Sequence, residues 1–234
     1  MSRNILALAD AGTRLLHALD PETAHGVALR ALSCGLVPAA RDADPASLAT
    51  RVFGRDFVNP IGFAAGFDKQ GLAIDGALGL GAGFMEVGGV TPLPQRGNPR
   101  PRLFRLTEDR AVINRMGLNS DGAEAVARRV AARRRRDRIL GVNLASNTES
   151  ADAAADFALL VERFAPIADF LTLDISCPNT RGGKQFLEPR PLGALLQRLG
   201  AIPARAKTKL LVKLSPDLEG ERITTLVEVA LAEG

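Results

Sequence analysis

The sequence predicts an α/β protein built on a parallel sheet that curls into a barrel, and three observations carry that expectation. Short apolar runs of strand length alternate with longer amphipathic segments from Asn59 onward. Five of these runs end in glycine or polar residues at their C-terminal side. No glycine fingerprint follows a strand and opens a helix: Gly79-Leu80-Gly81-Ala82-Gly83 precedes a strand and reads as a helix-to-strand turn. A doubly wound sheet gathers its site at one switch point, whereas a barrel draws on many strands, so five polar strand ends favour the barrel.

Composition sets the outer bounds. The 234 residues are 46% hydrophobic and 24% charged, enough for one sizeable core and outside the disordered and fibrous classes. The formal charge of +4 rests on Arg128, Arg129 and the run Arg133 to Arg136, closing at Arg138. With no aromatic residues interleaved, this run reads as a solvated helix end rather than a nucleic-acid patch. The two cysteines, Cys34 and Cys177, make neither a disulfide framework nor a zinc pattern and fit a reducing compartment. No apolar run reaches the roughly 18 residues of a membrane span, and no secretory signal opens the chain, so the protein is expected inside the cell.

Residues 3–19 place Ile5, Leu8, Leu15, Leu16 and Leu19 on one helical face, and Pro21 restarts a second helix that runs to the Gly35 stop. Two such helices either pack on the end of the domain or lie in a membrane interface. Residues 1–35 thus form an N-terminal helical hairpin, 36–48 a linker broken by Pro38 and Pro45, and 49–234 the main domain. That domain is expected to open with a hairpin, Ala49–Phe53 and Arg55–Val58 about Gly54, able to floor a barrel.

The repeating units follow. Strands are expected at Ile61–Ala65, Gly83–Val87, Ile139–Asn143, Phe170–Ile175 and Leu210–Leu214, with helices over 70–80, 121–134, 150–164 and 191–202 and a last one carrying Ile223, Leu226, Val227 and Ala230. A proline-rich excursion after the second strand holds two short extended pieces, Arg102–Leu106 and Ala111–Ile113. The strands deliver Gly66-Phe67-Asp68-Lys69, Gly88-Gly89, Asn143, Asp174 to Asn179, and Lys213 to one end of the sheet.

Lysines at a barrel mouth suit an anionic substrate or a reduced cofactor, so Lys69 and Lys213 are candidate anchors. Asn114-Arg115-Met116-Gly117 could hold a carboxylate or an amide-rich ring. Cys177 sits where the fourth strand turns at Pro178-Asn179. A thiol, with an ordinary pKa near ~8.5, becomes a general base when cations lower that value. The two histidines, His17 and His25, lie in the N-terminal helices, which favours proton abstraction over acyl transfer.

The series Asn59-Pro60-Ile61-Gly62-Phe63-Ala64-Ala65-Gly66-Phe67-Asp68-Lys69, Val90-Thr91-Pro92, Pro101-Arg102-Leu103-Phe104-Arg105, Asn114-Arg115-Met116-Gly117, Ser176-Cys177-Pro178-Asn179-Thr180 and Val212-Lys213-Leu214-Ser215-Pro216-Asp217 resembles the dihydroorotate dehydrogenases. Leu19-Asp20-Pro21-Glu22-Thr23-Ala24-His25 is similar to the N-terminal extension of their membrane-associated, quinone-dependent class. The resemblance implies a (β/α)8 TIM barrel, here with about its first five βα units, that binds FMN and oxidises dihydroorotate to orotate in pyrimidine biosynthesis. In that family a base removes the C5 proton while hydride passes from C6 to the flavin, and quinone reoxidises the flavin by way of the N-terminal helices. Carried over by position, Cys177 is the base. Lys69, Asn114, Arg115, Met116, Gly117, Leu118, Asp174 and Asn179 bind substrate. Ala65, Gly66, Phe67, Asp68, Lys69, Gly89, Asn143, Asp174 and Lys213 contact FMN. Location on the cytoplasmic side of the membrane, peripheral and through the N-terminal helices, follows from the same likeness.

Three positions depart from the family pattern. Cysteine stands where the quinone-dependent class has serine. Asp174 replaces an asparagine, and an ionised carboxylate there repels orotate unless it is protonated or paired with a lysine. Gly89 replaces a hydroxyl-bearing residue. Length departs too. A full barrel takes about 250 residues, with phosphate often held after strands seven and eight, whereas five strands are complete here by Lys213. The chain is therefore expected to be a truncated form that binds FMN weakly or not at all, and a non-catalytic remnant or a flavin enzyme for a related dihydropyrimidine are the alternatives.

Overall fold

The computed structural model describes residues 12–40, 43–176 and 183–233. Residues 1–11 of the first amphipathic segment, Cys177 and Asn179 lie outside the described residues.

Residues 12–17 are helical, and α1 (Pro21–Ser33) follows. Asp20 caps α1 by accepting from the backbone N–H of Thr23 at 3.0 Å, and Pro21 fills the first turn, where its missing N–H costs nothing. Hydrogen bonding to Thr23 also holds the Asp20 carboxyl below its ordinary range. Ala24, Leu29 and Leu32 form the buried stripe of α1. The hairpin falls where expected: β1 (Thr50–Val52) pairs antiparallel with β2 (Arg55–Phe57).

Five strands make the main sheet: β3 (Gly62–Phe63), β4 (Phe84–Val90), then, beyond an inserted antiparallel pair β5 (Leu103–Leu106) and β6 (Ala111–Asn114), β7 (Ile139–Leu144), β8 (Phe170–Asp174) and β9 (Lys209–Lys213). Every pairing in the main sheet is parallel, and the spatial order β3-β4-β7-β8-β9 follows the sequence without reversal. A doubly wound sheet reverses direction at its switch point, so sequential order decides for the barrel type. Helices α2 (Ile74–Gly79), α3 (Ala123–Ala131), α4 (Ala153–Phe164) and α5 (Pro189–Gly200) make the crossovers, and α6 (Gly220–Ala232) follows β9.

Strand alternation gives the sheet two unlike faces. Met85, Val87, Leu140, Val142, Leu144, Leu171 and Leu173 are fully buried against Val126, Val130, Phe157, Leu160 and Leu195 of the helices. Phe84, Glu86, Asn143, Phe170 and Asp174 alternate with them and face what would be the barrel interior. The deeper interior layer is aromatic. Phe170 lies across Gly141, where any β-carbon would collide with its ring, and Phe84 lies across Gly62 in the same way. Phe57 of β2 meets Phe84 edge-on, with ring centroids 5.7 Å apart, and Arg55 pairs with Asp169 at 2.9 Å, so the hairpin floors the sheet. Among the described residues the sheet does not close, and β3 and β9 are its two edges.

Two sequence expectations need correction. The helix expected over 70–80 begins only at Ile74, because the Asp68 carboxylate takes the N–H groups of Leu72 and Ala73 at 2.9 and 2.7 Å and holds 68–73 as a loop. The arginine run is a solvated helix end only in part: Arg128, Arg134 and Arg136 are exposed, but the run also has structural partners. α3 stops at Ala131, and Asp75 accepts from the backbone N–H groups of Arg134 and Arg135, which pins the connection to α2. Arg133 is buried, donating to the Ile167 carbonyl at 2.6 Å and to Asp169 at 2.9 Å. Burial pushes its guanidinium pKa down, opposed by the Asp169 charge.

Candidate functional site at the strand ends

The C-terminal ends of all five parallel strands meet at one rim, as a barrel requires. The loop after β3 joins β4 through the Gly66 N–H, which donates to the Gly88 carbonyl at 2.8 Å. Lys69 returns over this loop, its Nζ lying 3.7 Å from where a Gly66 β-carbon would stand. Phe67 stacks on Phe63 at 4.5 Å, while Asp68, fully buried, spends both carboxylate oxygens on the loop backbone. Asp68 therefore shapes the turn that presents Gly66 and Lys69. Ala65 lies between them and β3.

On the adjoining strands, Gly89 comes close to Asn143: a β-carbon there would lie 3.2 Å from Asn143 Oδ1 and 3.2 Å from Leu118 Cδ2. A side chain at Gly89 therefore requires Asn143 or Leu118 to give by a few tenths of an ångström. Asn143 is fully buried, donates through Nδ2 to Glu86 Oε1 at 2.9 Å, and leaves Oδ1 buried without a partner. Further along the rim, Asp174 stands opposite Lys213 in the β8–β9 register, and Lys213 Nζ donates to Asp174 Oδ2 at 3.1 Å. Asp174 Oδ1 accepts from the Ser176 hydroxyl at 3.1 Å and from its N–H at 3.3 Å.

The segment after β6 contributes unequally. Leu118 is buried over Gly89, helped by the left-handed backbone of Gly117 and of Leu118 itself, with φ of 71° and 51°. Met116 uses its carbonyl to receive the Asn98 N–H at 3.0 Å. The Arg115 guanidinium donates to the Pro101 carbonyl at 2.9 Å, and Asn114 Oδ1 accepts from the Met116 N–H at 3.4 Å. Arg115 thus braces the insertion. Cys177 and Asn179 follow directly on Ser176, outside the described residues.

Two participants escaped the sequence reading. Glu86 orients Asn143, and only its inward register on β4 marks it out. His25 of α1 meets Phe67 edge-on with centroids 5.6 Å apart, so the N-terminal helix touches the loop that carries Gly66 and Lys69. The sequence placed His25 on a helix expected to pack on the domain or lie in a membrane interface, without marking Phe67 as its neighbour.

A family profile described as dihydroorotate dehydrogenase matches residues 47–234. The chain belongs to the dihydroorotate dehydrogenase family. A dihydroorotate dehydrogenase (quinone) from Parvibaculum lavamentivorans is 49% identical over 220 residues, covering 94% of this chain and 63% of the relative. Another with that name, from Rhodospirillum rubrum, is 49% identical over 224 residues, covering 94% and 61%. The crystal structure of DHODH from Eimeria tenella in complex with ferulenol superposes with a TM-score of 0.85 at 33% identity, covering 92% of this chain and 64% of that one. The chain thus spans about three-fifths of the length of the curated relatives it matches.

A flavin is the cofactor that this dihydroorotate dehydrogenase family implies, and the rim can be tested for it. A buried amide oxygen without a partner costs about 1–3 kcal/mol, and Asn143 Oδ1 is such an acceptor beside the rim. The glycines at 88–89 let β4 pack closely on Asn143, and Lys213, with 51% of its side chain exposed, offers ammonium protons at the rim. These residues fit a planar ring with a polar edge.

Proposed function

We propose that the strand-end rim is a flavin and dihydropyrimidine site, and that the chain's activity is oxidation of dihydroorotate to orotate with FMN as cofactor and quinone as acceptor. The observation that carries this reading is the convergence of Gly66, Gly89, Asn143, Asp174 and Lys213, one from each of five successive strands, on a single rim in a chain of this family. FMN, when bound, supplies a two-electron acceptor for the substrate's C–H bond. The chain's residues do the rest. Gly89 and Asn143 admit and orient the ring edge, Lys213 and Lys69 supply cationic donors, and Asp68 fixes the loop that carries Lys69. Cys177, three residues after Asp174 in the sequence, takes the substrate proton on its sulfur.

His25 packed on Phe67 supports an acceptor route between α1 and the barrel. Exposed Leu15 and Leu36, each 76% accessible, with Leu19 and Val27, support seating of the N-terminal segment on the cytoplasmic face of a membrane as a peripheral contact. No described helix is long and apolar enough to cross one. The open edges of β3 and β9 favour a second reading, a partial fold without turnover that keeps only this surface contact.

One assay separates the two. Chain supplied with FMN, dihydroorotate and a redox dye should reduce the dye above a protein-free flavin blank, and Lys213→Met should remove the excess. No excess at any flavin concentration would contradict the catalytic reading.

A further inference from the structure

We infer that the floor of the sheet, at the end opposite the rim, carries a second binding site: a basic cleft that takes a multiply charged phosphate-type anion between Arg55, Arg136 and Lys207. The inference does not depend on the flavin reading of the rim.

The cleft has a volume of about 490 Å3, within the range of small-molecule sites, and it opens where three connections meet beneath the sheet. β2 supplies Arg55, the link from α3 to β7 supplies Arg133 and Arg136, and the turn Pro203–Lys207 ahead of β9 supplies Lys207. Against these four cations the lining holds one carboxylate, Asp169, just before β8.

The acceptors in the cleft are already taken. Asp169 Oδ1 receives Arg55 Nη1 at 2.9 Å, and Oδ2 receives Arg133 Nη2 and the Leu140 N–H, each at 2.9 Å. The Ile167 carbonyl takes Arg133 Nη1 at 2.6 Å, and the Ala165 carbonyl takes the Thr208 hydroxyl at 2.7 Å. Donors are left over. Arg136 gives one N–H to the Ala131 carbonyl, and among the described residues neither Arg136 nor Lys207 forms an ion pair. Neighbouring carboxylates do not restore the balance, because Asp75 is engaged by Arg134, Asp137 by Arg138 at 3.6 Å and Asp56 by Arg51 at 3.7 Å. Burial is the main cause that lowers the Arg133 guanidinium pKa, and against the pull of Asp169 the charges of Arg136 and Arg55 lower it further, so these cations lie within electrostatic reach of one another.

Access decides which of them meet a ligand. Arg133, with 5% of its side chain exposed, backs the cleft, whereas the Arg55 side chain is 42% exposed and Arg136 and Lys207 are open to solvent. Two guanidinium forks and an ammonium match the oxygens of a phosphate group, and an excess of cations favours a dianion over a single carboxylate. No aromatic side chain lines the cleft, so it reads the charged group rather than a base.

The test is calorimetric titration of the 234-residue chain with inorganic pyrophosphate at fixed ionic strength. Arg136→Gln combined with Lys207→Gln is compared with Arg128→Gln combined with Arg190→Gln, which removes the same charge from exposed positions outside the cleft. We expect saturable one-site binding in wild type, weakened about tenfold or more by the first pair and about threefold or less by the second, with a raised melting temperature in the presence of pyrophosphate that the first pair abolishes. Absence of saturable binding in wild type, or equal weakening by both pairs, overturns the inference. A parallel arm measures capture by phosphatidylglycerol vesicles. Capture that depends on Arg136 and Lys207 without saturable pyrophosphate binding would make the cleft a lipid-headgroup contact and overturn the soluble-anion reading.

Discussion

Individual residues at the rim divide into those that shape it and those left to act. Asn143 shows the division best, because its amide nitrogen is spent on Glu86 while its buried oxygen is left without a partner. Asn143→Leu loses the Glu86 hydrogen bond but also removes the orphaned oxygen, so the melting free energy should move by no more than about 1 kcal/mol while flavin binding is abolished. Denaturant melts and flavin fluorescence measure the two effects separately. Gly141 is the opposite case. Gly141→Ala drives a methyl into the Phe170 ring far from the rim and should cost about 1–3 kcal/mol in a urea melt with no specific effect on ligands. The sequence showed the polar residues because strand-end side chains stand out against apolar runs. It could not show that Asp68 faces its own loop or that Arg115 braces Pro101, since both depend on how a turn folds back.

At the scale of elements, the strands were the most legible part, most within a residue or two and β4 running three residues further, to Val90, because a buried parallel strand is a short uninterrupted apolar run. Helix ends were less so, because Asp68 and Asp75, distant in sequence from the backbone groups they capture, set where α2 starts and how the chain leaves α3. Packing of α1 on the domain's end was one of two readings of its apolar stripe, but the residues that attach it were not legible. Glu22 of α1 receives Arg102 Nη2 at 2.8 Å and Arg100 Nη2 at 2.9 Å, and Arg102 also donates to the carbonyls of Arg96 and Asn98. Hydrogen bonding from Arg102 holds the Glu22 carboxyl below its ordinary 4.5. A carboxyl with a depressed folded-state pKa stabilises fully above its unfolded value and loses that contribution as pH falls through the folded one. The α1 latch should therefore hold at neutral pH and loosen only below about 4.5, seen as faster amide exchange across α1. Arg102→Met leaves Glu22 and two carbonyls short of a donor and should cost about 3 kcal/mol at pH 7, with exchange in α1 rising first.

For the whole molecule, sequential strand order and one-sided helices separate a barrel type from a doubly wound sheet, and the spread of polar residues over five strand ends had already pointed that way. What no residue pattern conveys is closure, which depends on pairing between the first and last strands of a barrel. Here β3 and β9 remain edges among the described residues, and Phe84 and Phe170 of the interior face are only half-buried. Such a rim can hold a ring edge but encloses it incompletely, so flavin affinity in the 234-residue chain should be weak. The most direct measurement is an FMN titration of this chain, followed by flavin fluorescence, beside Asn143→Leu and Lys213→Met. We expect weak, saturable quenching in wild type that both substitutions remove. Quenching that never saturates, or that is the same in all three proteins, would contradict a flavin site at the strand ends.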